Sequence, residues 1–258
     1  MILTATNTGR VMRRIRFDKM RDTCTSALAA FISMMMLDCC LAQPQQSSSA
    51  GLLRITRDQL CVTNGTVIGD GDGRLIVETP SSRAIVSGGT GQVAEIKFRY
   101  LGPTVGSKPL TSGELRRQIG LKLKAQDSCN LLYAMWHIEP HTGLAVTIKR
   151  NPGMHAHTQC GARGYVPVKG ETTWKLPTLA PGEVHRLHAE LQGDRLSLLA
   201  DGELAWQGSV GPLVSEFDGP VGLRTDNGRF ELEFFAKPND GAAGGSKKSK
   251  ACRTESSE

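Results

Sequence analysis

The sequence lacks the cysteine and histidine spacings of a zinc-binding motif. Its seven cysteines include no pair separated by two residues, and no cluster of Cys and His has zinc spacing. A structural zinc site needs four such ligands at short, characteristic spacings. A zinc-finger type of domain is therefore excluded.

The chain also lacks an excess of charge in its central part. Its 31 basic and 25 acidic residues give a net charge of +6. Residues 1–42 carry six basic and three acidic side chains, and residues 237–258 carry five and three, so residues 43–236 hold 20 and 19. Nucleic-acid binding needs a basic patch on the folded domain. The charge distribution therefore predicts no nucleic-acid partner.

The apolar run near the N-terminus is too short to cross a membrane. It covers residues 27–37, whereas a bilayer requires about 20 apolar residues. A basic segment precedes it and small residues stand before Gln43, as in a cleaved signal peptide. We predict a signal peptide over residues 1–42, export to the periplasm, cell surface or exterior, and no membrane span in the mature chain. A true start at Met12 or Met20 is the alternative.

The rest of the chain divides into three parts by composition. Residues 43–51 form a polar linker. Residues 237–258 are rich in Gly, Ser and Lys without apolar periodicity, which predicts a disordered basic tail. Residues 52–236 are long enough for one substantial core and contain no internal repeat.

Residues 52–236 show no convincing helical periodicity and alternate between apolar and polar residues instead. The alternation occurs at residues 93–101, 114–126, 131–139, 184–192 and 230–234. It is typical of half-buried antiparallel strands. Turn pairs such as Asp201-Gly202 and Asn227-Gly228 separate the runs. Many short strands with frequent turns predict an all-β sandwich or barrel.

The alternation also assigns faces to individual side chains. In residues 114–126 it places Leu115, Ile119, Leu121 and Leu123 on one side and Arg116, Gln118, Lys122 and Lys124 on the other. In residues 131–139 it places Trp136 in the core, together with Leu132, Ala134 and Ile138. Tyr133, Met135, His137 and Glu139 then point away from the core.

Two segments near the C-terminus resemble a known superfamily. They read L-S-L-L-A-D-G-E-L-A-W over residues 196–206 and G-P-V-G-L-R-T-D-N-G-R-F-E-L-E-F over residues 219–234. Residues 182–236 as a whole resemble the closing strands of concanavalin A-like lectin/glucanase domains, including laminin G-like modules. The resemblance implies a two-sheet antiparallel jelly-roll sandwich over residues 52–236. Trp206, Phe230, Leu232 and Phe234 are then core residues.

In that superfamily the central strands of one sheet form a concave face that can bind sugars. The densest group of aromatic, basic and acidic side chains lies in the middle of this sequence. We therefore predict an exported, non-catalytic module that binds carbohydrate or a cell-surface ligand on its concave face. The predicted ligand-binding residues are Tyr133, His137, Glu139, Arg150 and Arg163.

Two other functions stay open at this stage. The first is a sugar-active hydrolase, although the E-x-D-x-x-E glutamate pair of family-16 enzymes is absent. Glu231 and Glu233 share a face but belong to the last strand, where solvent-facing glutamates are expected. The second is a structural or adhesive protein-binding module, as laminin G-like domains often are.

Four cysteines remain after the predicted leader, and four cysteines allow three pairings. We predict a Cys129–Cys160 disulfide, because both residues flank ordered segments while Cys252 lies in the predicted tail. An exported domain can keep such a bond.

No cofactor is predicted other than, as a weak candidate, calcium at Asp70 and Asp72 in the Asp-Gly-Asp-Gly turn. A tight turn between strands is the favoured interpretation of that segment. The four histidines of the central region are a second metal candidate, although a catalytic zinc needs three protein ligands. They are His137, His141, His155 and His157.

Overall fold

The computed structural model describes residues 51–237. The predicted signal peptide lies outside the described residues. So do the predicted linker and tail, except for Gly51 at the end of the linker and Lys237 at the start of the tail. Export, cleavage and tail disorder accordingly stay predictions. No helix within residues 51–237 is long and apolar enough to span a bilayer.

The described part is made of short strands joined by turns. The strands are β1 (Leu53–Ile55), β2 (Leu60–Asn64), β3 (Ile68–Gly69), β4 (Leu75–Val77), β5 (Ser81–Val86), β6 (Val93–Pro103), β7 (Arg117–Leu123), β8 (Leu131–Glu139), β9 (Gly143–Lys149), β10 (Tyr165–Val168), β11 (Thr172–Thr173), β12 (Val184–Gln192), β13 (Arg195–Ala200), β14 (Glu203–Ser209), β15 (Gly222–Asp226) and β16 (Gly228–Ala236). One short helix, α1, covers His157–Cys160, and two 3-10 turns cover Arg57–Gln59 and Pro212–Glu216.

The strands form two antiparallel sheets. The nine-stranded sheet has the order β11-β14-β13-β12-β6-β16-β4-β3, with β1 also paired to β16. The seven-stranded sheet has the order β10-β9-β8-β7-β15-β5-β2. The first described strand therefore lies beside the last. The all-β, two-sheet jelly-roll sandwich is confirmed, whereas the laminin G-like subtype stays a prediction.

The core lies between the two sheets and follows the predicted alternation. Trp136 of β8 is fully buried and meets Phe98 of β6 edge-on, with ring centroids 5.7 Å apart. Phe98 also packs against Phe230 of β16 at 6.1 Å. The other predicted core residues, Trp206, Leu232 and Phe234, are buried as well. Such large apolar side chains contribute about 1.5–3 kcal/mol each when buried, so they hold the sheets together.

The T-D-N-G run links the two sheets at one end. Asn227 has a φ of 56°, in the left-handed region that Asn tolerates better than most residues. Its side-chain amide donates to the carbonyls of Lys108 and Arg116, and its Oδ1 accepts from the backbone N–H of Lys108. Asn227 therefore turns the chain from β15 into β16. It also anchors the long loop between β6 and β7, which contains Lys108 and Arg116.

The alternation predicted for residues 114–126 is partly wrong. The strand begins only at Arg117, and Leu115, expected in the core, is an exposed loop residue. Lys122 was expected on a solvated face but is 1% exposed. Lys122 is buried because the outer face of the seven-stranded sheet carries its own packed side chains.

Candidate functional site

The register of the seven-stranded sheet fixes which side chains share its outer face. Arg224 of β15 lies opposite Arg83 of β5 on one side and Gly120 of β7 on the other. Two residues after Gly120 in β7, Lys122 pairs with Tyr133 of β8. Residues that face each other across antiparallel strands point to the same side of the sheet. The basic residues and Tyr133 therefore converge on the outer face.

Two tyrosines form an aromatic platform on this face. The rings of Tyr133 and Tyr165 stack with centroids 6.2 Å apart and planes inclined by 22°. The Arg224 guanidinium lies 5.0 Å from the Tyr133 centroid, and Lys149 Nζ lies 5.2 Å from the Tyr165 centroid. These are cation–π distances. Tyr133 is 3% exposed and Tyr165 is 38% exposed, so Tyr165 is the ring that a ligand can reach.

A cleft of about 170 Å³ opens beside the platform. Its lining residues come from the two edges and the centre of the sheet, from the loop before β8 and from α1. They are Thr63, Asn64, Arg83, Lys122, Ser128, Tyr133, Lys149, His157 and Tyr165. Drug-sized ligands need pockets of about 300 Å³ or more, so this cleft suits a single small unit such as one sugar ring.

One carboxylate holds part of the basic face together. Asp226 Oδ2 accepts from Arg224 Nε at 2.7 Å and from Gln118 Nε2 at 2.6 Å, while its Oδ1 lies 3.9 Å from Arg83. Burial opposes the charge of Arg224, but Asp226 and the two tyrosines hold its pKa above the ordinary value. Asp226 is therefore a structural counter-ion whose acceptor sites already have donors.

The remaining basic side chains are also held in position. Arg83 donates to Ser81 Oγ at 2.8 Å, and Lys149 Nζ donates to the Ser128 carbonyl at 2.9 Å. Burial raises the pKa of Tyr165, and the nearby Tyr133 raises it further. The phenol of Tyr165 therefore keeps its proton at neutral pH. The cleft consequently presents cations and a neutral hydroxyl in fixed places.

His137, one of the predicted ligand-binding residues, lies on the same outer face, two residues after Met135 in β8. It pairs with Gln118 across β7 and β8, and its Nε2 lies 3.5 Å from Arg116. Burial, and then the charge of Arg116, lower its pKa from 6.5 to about 4. The ring is therefore neutral at pH 7.

Predicted Glu139 does not join His137 and Tyr133. The register between β7 and β8 shifts at Arg117 and Gln118, so that Glu139 faces Arg117 and forms an ion pair with it. The charges of Arg117 and Glu139 both influence the pKa of Tyr100, which is a core residue. The bulge therefore turns Glu139 towards the opposite side of the sheet, which strict alternation does not anticipate.

Predicted Arg150 and Arg163 are engaged elsewhere. Arg150 pairs with Glu216 at 2.8 Å, at the 3-10 turn before β15. Arg163 donates to the carbonyls of Cys160 and Gln159 within its own loop. The expected cluster of five thus separates into Tyr133 and His137 on the outer face and three residues engaged away from it.

The predicted disulfide between Cys129 and Cys160 is present. It ties the loop that contains α1 to the start of β8. Asn151 extends this attachment, since its side chain donates to the carbonyls of Cys129 and Arg163 and its backbone N–H donates to Asn130. The loop is thereby fixed where Ser128 and His157 form a wall of the cleft.

The calcium candidate at Asp70 and Asp72 stays a prediction. Asp70 accepts hydrogen bonds from the backbone N–H groups of Asp72 and Arg74 and from Arg74 Nε, as in a tight turn. Among residues 51–237, no three His, Cys, Asp or Glu side chains are grouped to hold a metal ion. His155, for example, contacts Asp127 at 2.8 Å.

A second, larger cleft of about 500 Å³ lies at one end of the sandwich. Residues 87–92 and 218–220 line it, together with Lys124. Lys124 Nζ donates to the carbonyl of Phe217, and the glycine-rich walls offer few side chains. The smaller cleft therefore carries more chemistry.

Sequence reasoning missed most of the residues that line the smaller cleft. Lys149 and Tyr165 fell within the dense central region but were not selected. Arg83 lies on β5, distant in sequence from that region, whereas Lys122 lies on β7, the strand just before it. The one sequence pattern that could have indicated these residues is a basic residue at an outward position of an apolar strand. Such a residue is more often an ordinary solvated side chain.

No family model and no curated protein matches the sequence. Among solved structures, the carbohydrate-binding module CBM66 from Bacillus subtilis is 15% identical with a TM-score of 0.46, over 67% of this chain and 91% of that one. Crh5 transglycosylase is 14% identical with a TM-score of 0.43, over 77% and 88%. The Emp46p carbohydrate recognition domain is 13% identical with a TM-score of 0.41, over 69% and 87%. At such identities and TM-scores, these likenesses carry no statement about ligand or activity.

Proposed function

We propose that the protein is a carbohydrate-binding module whose site is the cleft on the outer face of the seven-stranded sheet. The observation that carries the proposal is the meeting of Tyr165, Arg83 and Lys149 around a space of about 170 Å³. Aromatic edges and hydrogen-bond donors that converge on a small cleft are the usual elements of a ligand site. One sugar unit of a longer glycan fits these dimensions.

The geometry favours binding over hydrolysis. Retaining glycosidases use two carboxyl groups about 5–5.5 Å apart on either side of the scissile bond. On this face Asp226 already accepts hydrogen bonds from Arg224 and Gln118, and Glu139 is turned away towards Arg117. We therefore propose a non-catalytic module, with a sugar-active enzyme as the alternative.

We also propose that the chain works outside the cytoplasm, on glycans or another ligand of a cell surface. The Cys129–Cys160 disulfide supports this location, because such bonds persist in oxidising compartments. The predicted signal peptide agrees with it.

A glycan array probed with the full chain and with Tyr165→Ala tests the proposal. We expect wild-type binding to at least one glycan class and a loss of about tenfold or more in the variant, as for an aromatic anchor of a binding site. Tyr165 lies on the edge strand β10, so its truncation should leave the melting temperature nearly unchanged.

Trp174→Ala is the matched control. Trp174 is another exposed aromatic residue, 65% exposed, and it follows β11 at the edge of the other sheet. Equal affinity in the Tyr165 and Trp174 variants would remove the cleft as the binding site. Release of sugar products by the wild-type protein would instead favour the enzyme.

A further inference from the structure

Four basic side chains from four strands surround the cleft and its platform. They are Arg83 of β5, Lys122 of β7, Lys149 of β9 and Arg224 of β15. Their positions follow from the strand register, so they keep their mutual distances whenever the sheet is formed. A neutral sugar would not require such a concentration of positive charge.

The pairing of Arg83 with Arg224 places two like charges side by side. The two residues are direct cross-strand partners, and like charges in that position destabilise a sheet. Asp226 relieves part of the repulsion through Arg224 but lies 3.9 Å from Arg83. An additional anion in the cleft would be attracted by Arg83 and by the neighbouring lysines.

The shape of the donors suits a carboxylate. A guanidinium has five N–H donors in a planar fork, which matches the two oxygens of a carboxylate. In the cleft, Arg83 lies among hydroxyl and amide groups of Thr63, Asn64 and Ser128. Those groups can bond sugar hydroxyls while the cations hold the acidic group.

We propose that the cleft binds acidic saccharides, in which a sugar ring carries a carboxylate, in preference to neutral ones. This inference rests on the proposed function, since it names the ligand class of the same site. Tyr165 contacts the ring, and Arg83, Lys122 and Lys149 face the carboxylate.

The test compares oligogalacturonate with the same oligosaccharide after reduction of its carboxyl groups, within a panel that also holds neutral and sulfated glycans. Isothermal titration of the full chain should give an affinity about tenfold or more higher for the carboxylated form, as expected for charged hydrogen bonds. The preference should shrink at high salt, because added ions screen exposed charges.

Arg83→Gln should remove most of that preference, so that the affinities for the carboxylated and the reduced sugar become similar. Arg99→Gln is the matched control, since Arg99 belongs to the outer face of the nine-stranded sheet. Circular dichroism on both variants verifies that they are folded.

The outcomes separate the two proposals. Equal affinity for carboxylated and reduced sugars, or a preference for neutral glycans, overturns the acidic-sugar inference and leaves the binding module intact. Binding to sulfated glycans alone overturns the commitment to a carboxylate. Binding to no member of the panel overturns both proposals.

Discussion

The outer faces of the two sheets carry charge in different ways. On the nine-stranded sheet Lys97 and Arg186 are cross-strand neighbours, but each has a carboxylate partner of its own, and Arg186 lies 3.4 Å from Glu95. Lys97 approaches Glu233 at 3.3 Å. On the seven-stranded sheet the corresponding row places Arg83 opposite Arg224. Neighbouring charges of opposite sign are ordinary on a solvated surface, whereas basic side chains gathered around a cleft suit an anionic ligand.

The charged side chains are also buried to different extents on the two outer faces. The Arg99–Glu231 pair on the nine-stranded sheet leaves both side chains more than 40% exposed, while Arg224 and Asp226 are 10% and 2% exposed. Exposed ion pairs contribute little to stability, but a buried charge is costly without its partner. The two faces should therefore respond differently to the same kind of substitution.

The largest expected effect is that of Asp226→Asn. The change leaves Arg224 buried without its counter-ion, which we expect to lower the free energy of unfolding by about 3–5 kcal/mol. The matched change Glu231→Gln, on the exposed pair, should alter it by less than about 1 kcal/mol. Urea unfolding of both variants measures the difference, and equal effects would contradict the contrast between the faces.

The Cys129–Cys160 disulfide lies on the cleft side of the molecule. Cys129→Ala combined with Cys160→Ala should lower the free energy of unfolding by about 2–4 kcal/mol, because it opens a loop with a sequence separation of 31 residues. The same change should weaken ligand binding, since the loop carries the Ser128 and His157 wall. Unchanged binding in a folded double variant would show that the loop does not shape the site.

The smallest expected effect concerns pH. Because His137 has a pKa of about 4 in the folded protein and 6.5 ordinarily, the unfolded chain takes up its proton first. Stability is then complete above pH 6.5 and falls as the pH is lowered towards 4. The loss should be about 1 kcal/mol once screening at the half-buried ring is allowed for.

His137→Gln should flatten that part of the stability curve. Arg116, Glu114, Arg224 and Asp226 all act on His137 and are kept in the variant. Urea titrations between pH 4 and pH 7 compare the two proteins. Curves that stay parallel over this range would show that His137 does not contribute the proton.

The strands and the core were predictable because they depend on local alternation. Trp136, Phe230 and Phe234 occupy core positions that a period of two assigns directly. The alternation failed where the backbone departs from a regular strand. Glu139 lies beyond a bulge, and Leu115 precedes the first residue of its strand.

The site was less predictable because its residues meet only across the sheet. Tyr133 and His137 share one strand, and their common face was read from the sequence. Arg83 and Arg224 lie far apart in the chain and become neighbours through the pairing of β5 with β15. Nothing in the local sequence of either strand indicates that partner.

The sequence by itself determined the all-β class and most of the core, since these follow from alternation and turn residues, and it favoured the Cys129–Cys160 pair among three possible pairings. Only the tertiary structure decided that Arg83, Lys122 and Lys149 line one cleft, with Arg224 beside Arg83 and against the Tyr133 ring. Strand order and register bring distant segments together, and both depend on the packing of the whole sandwich. The charge of the candidate site is therefore a property of the assembled sheet.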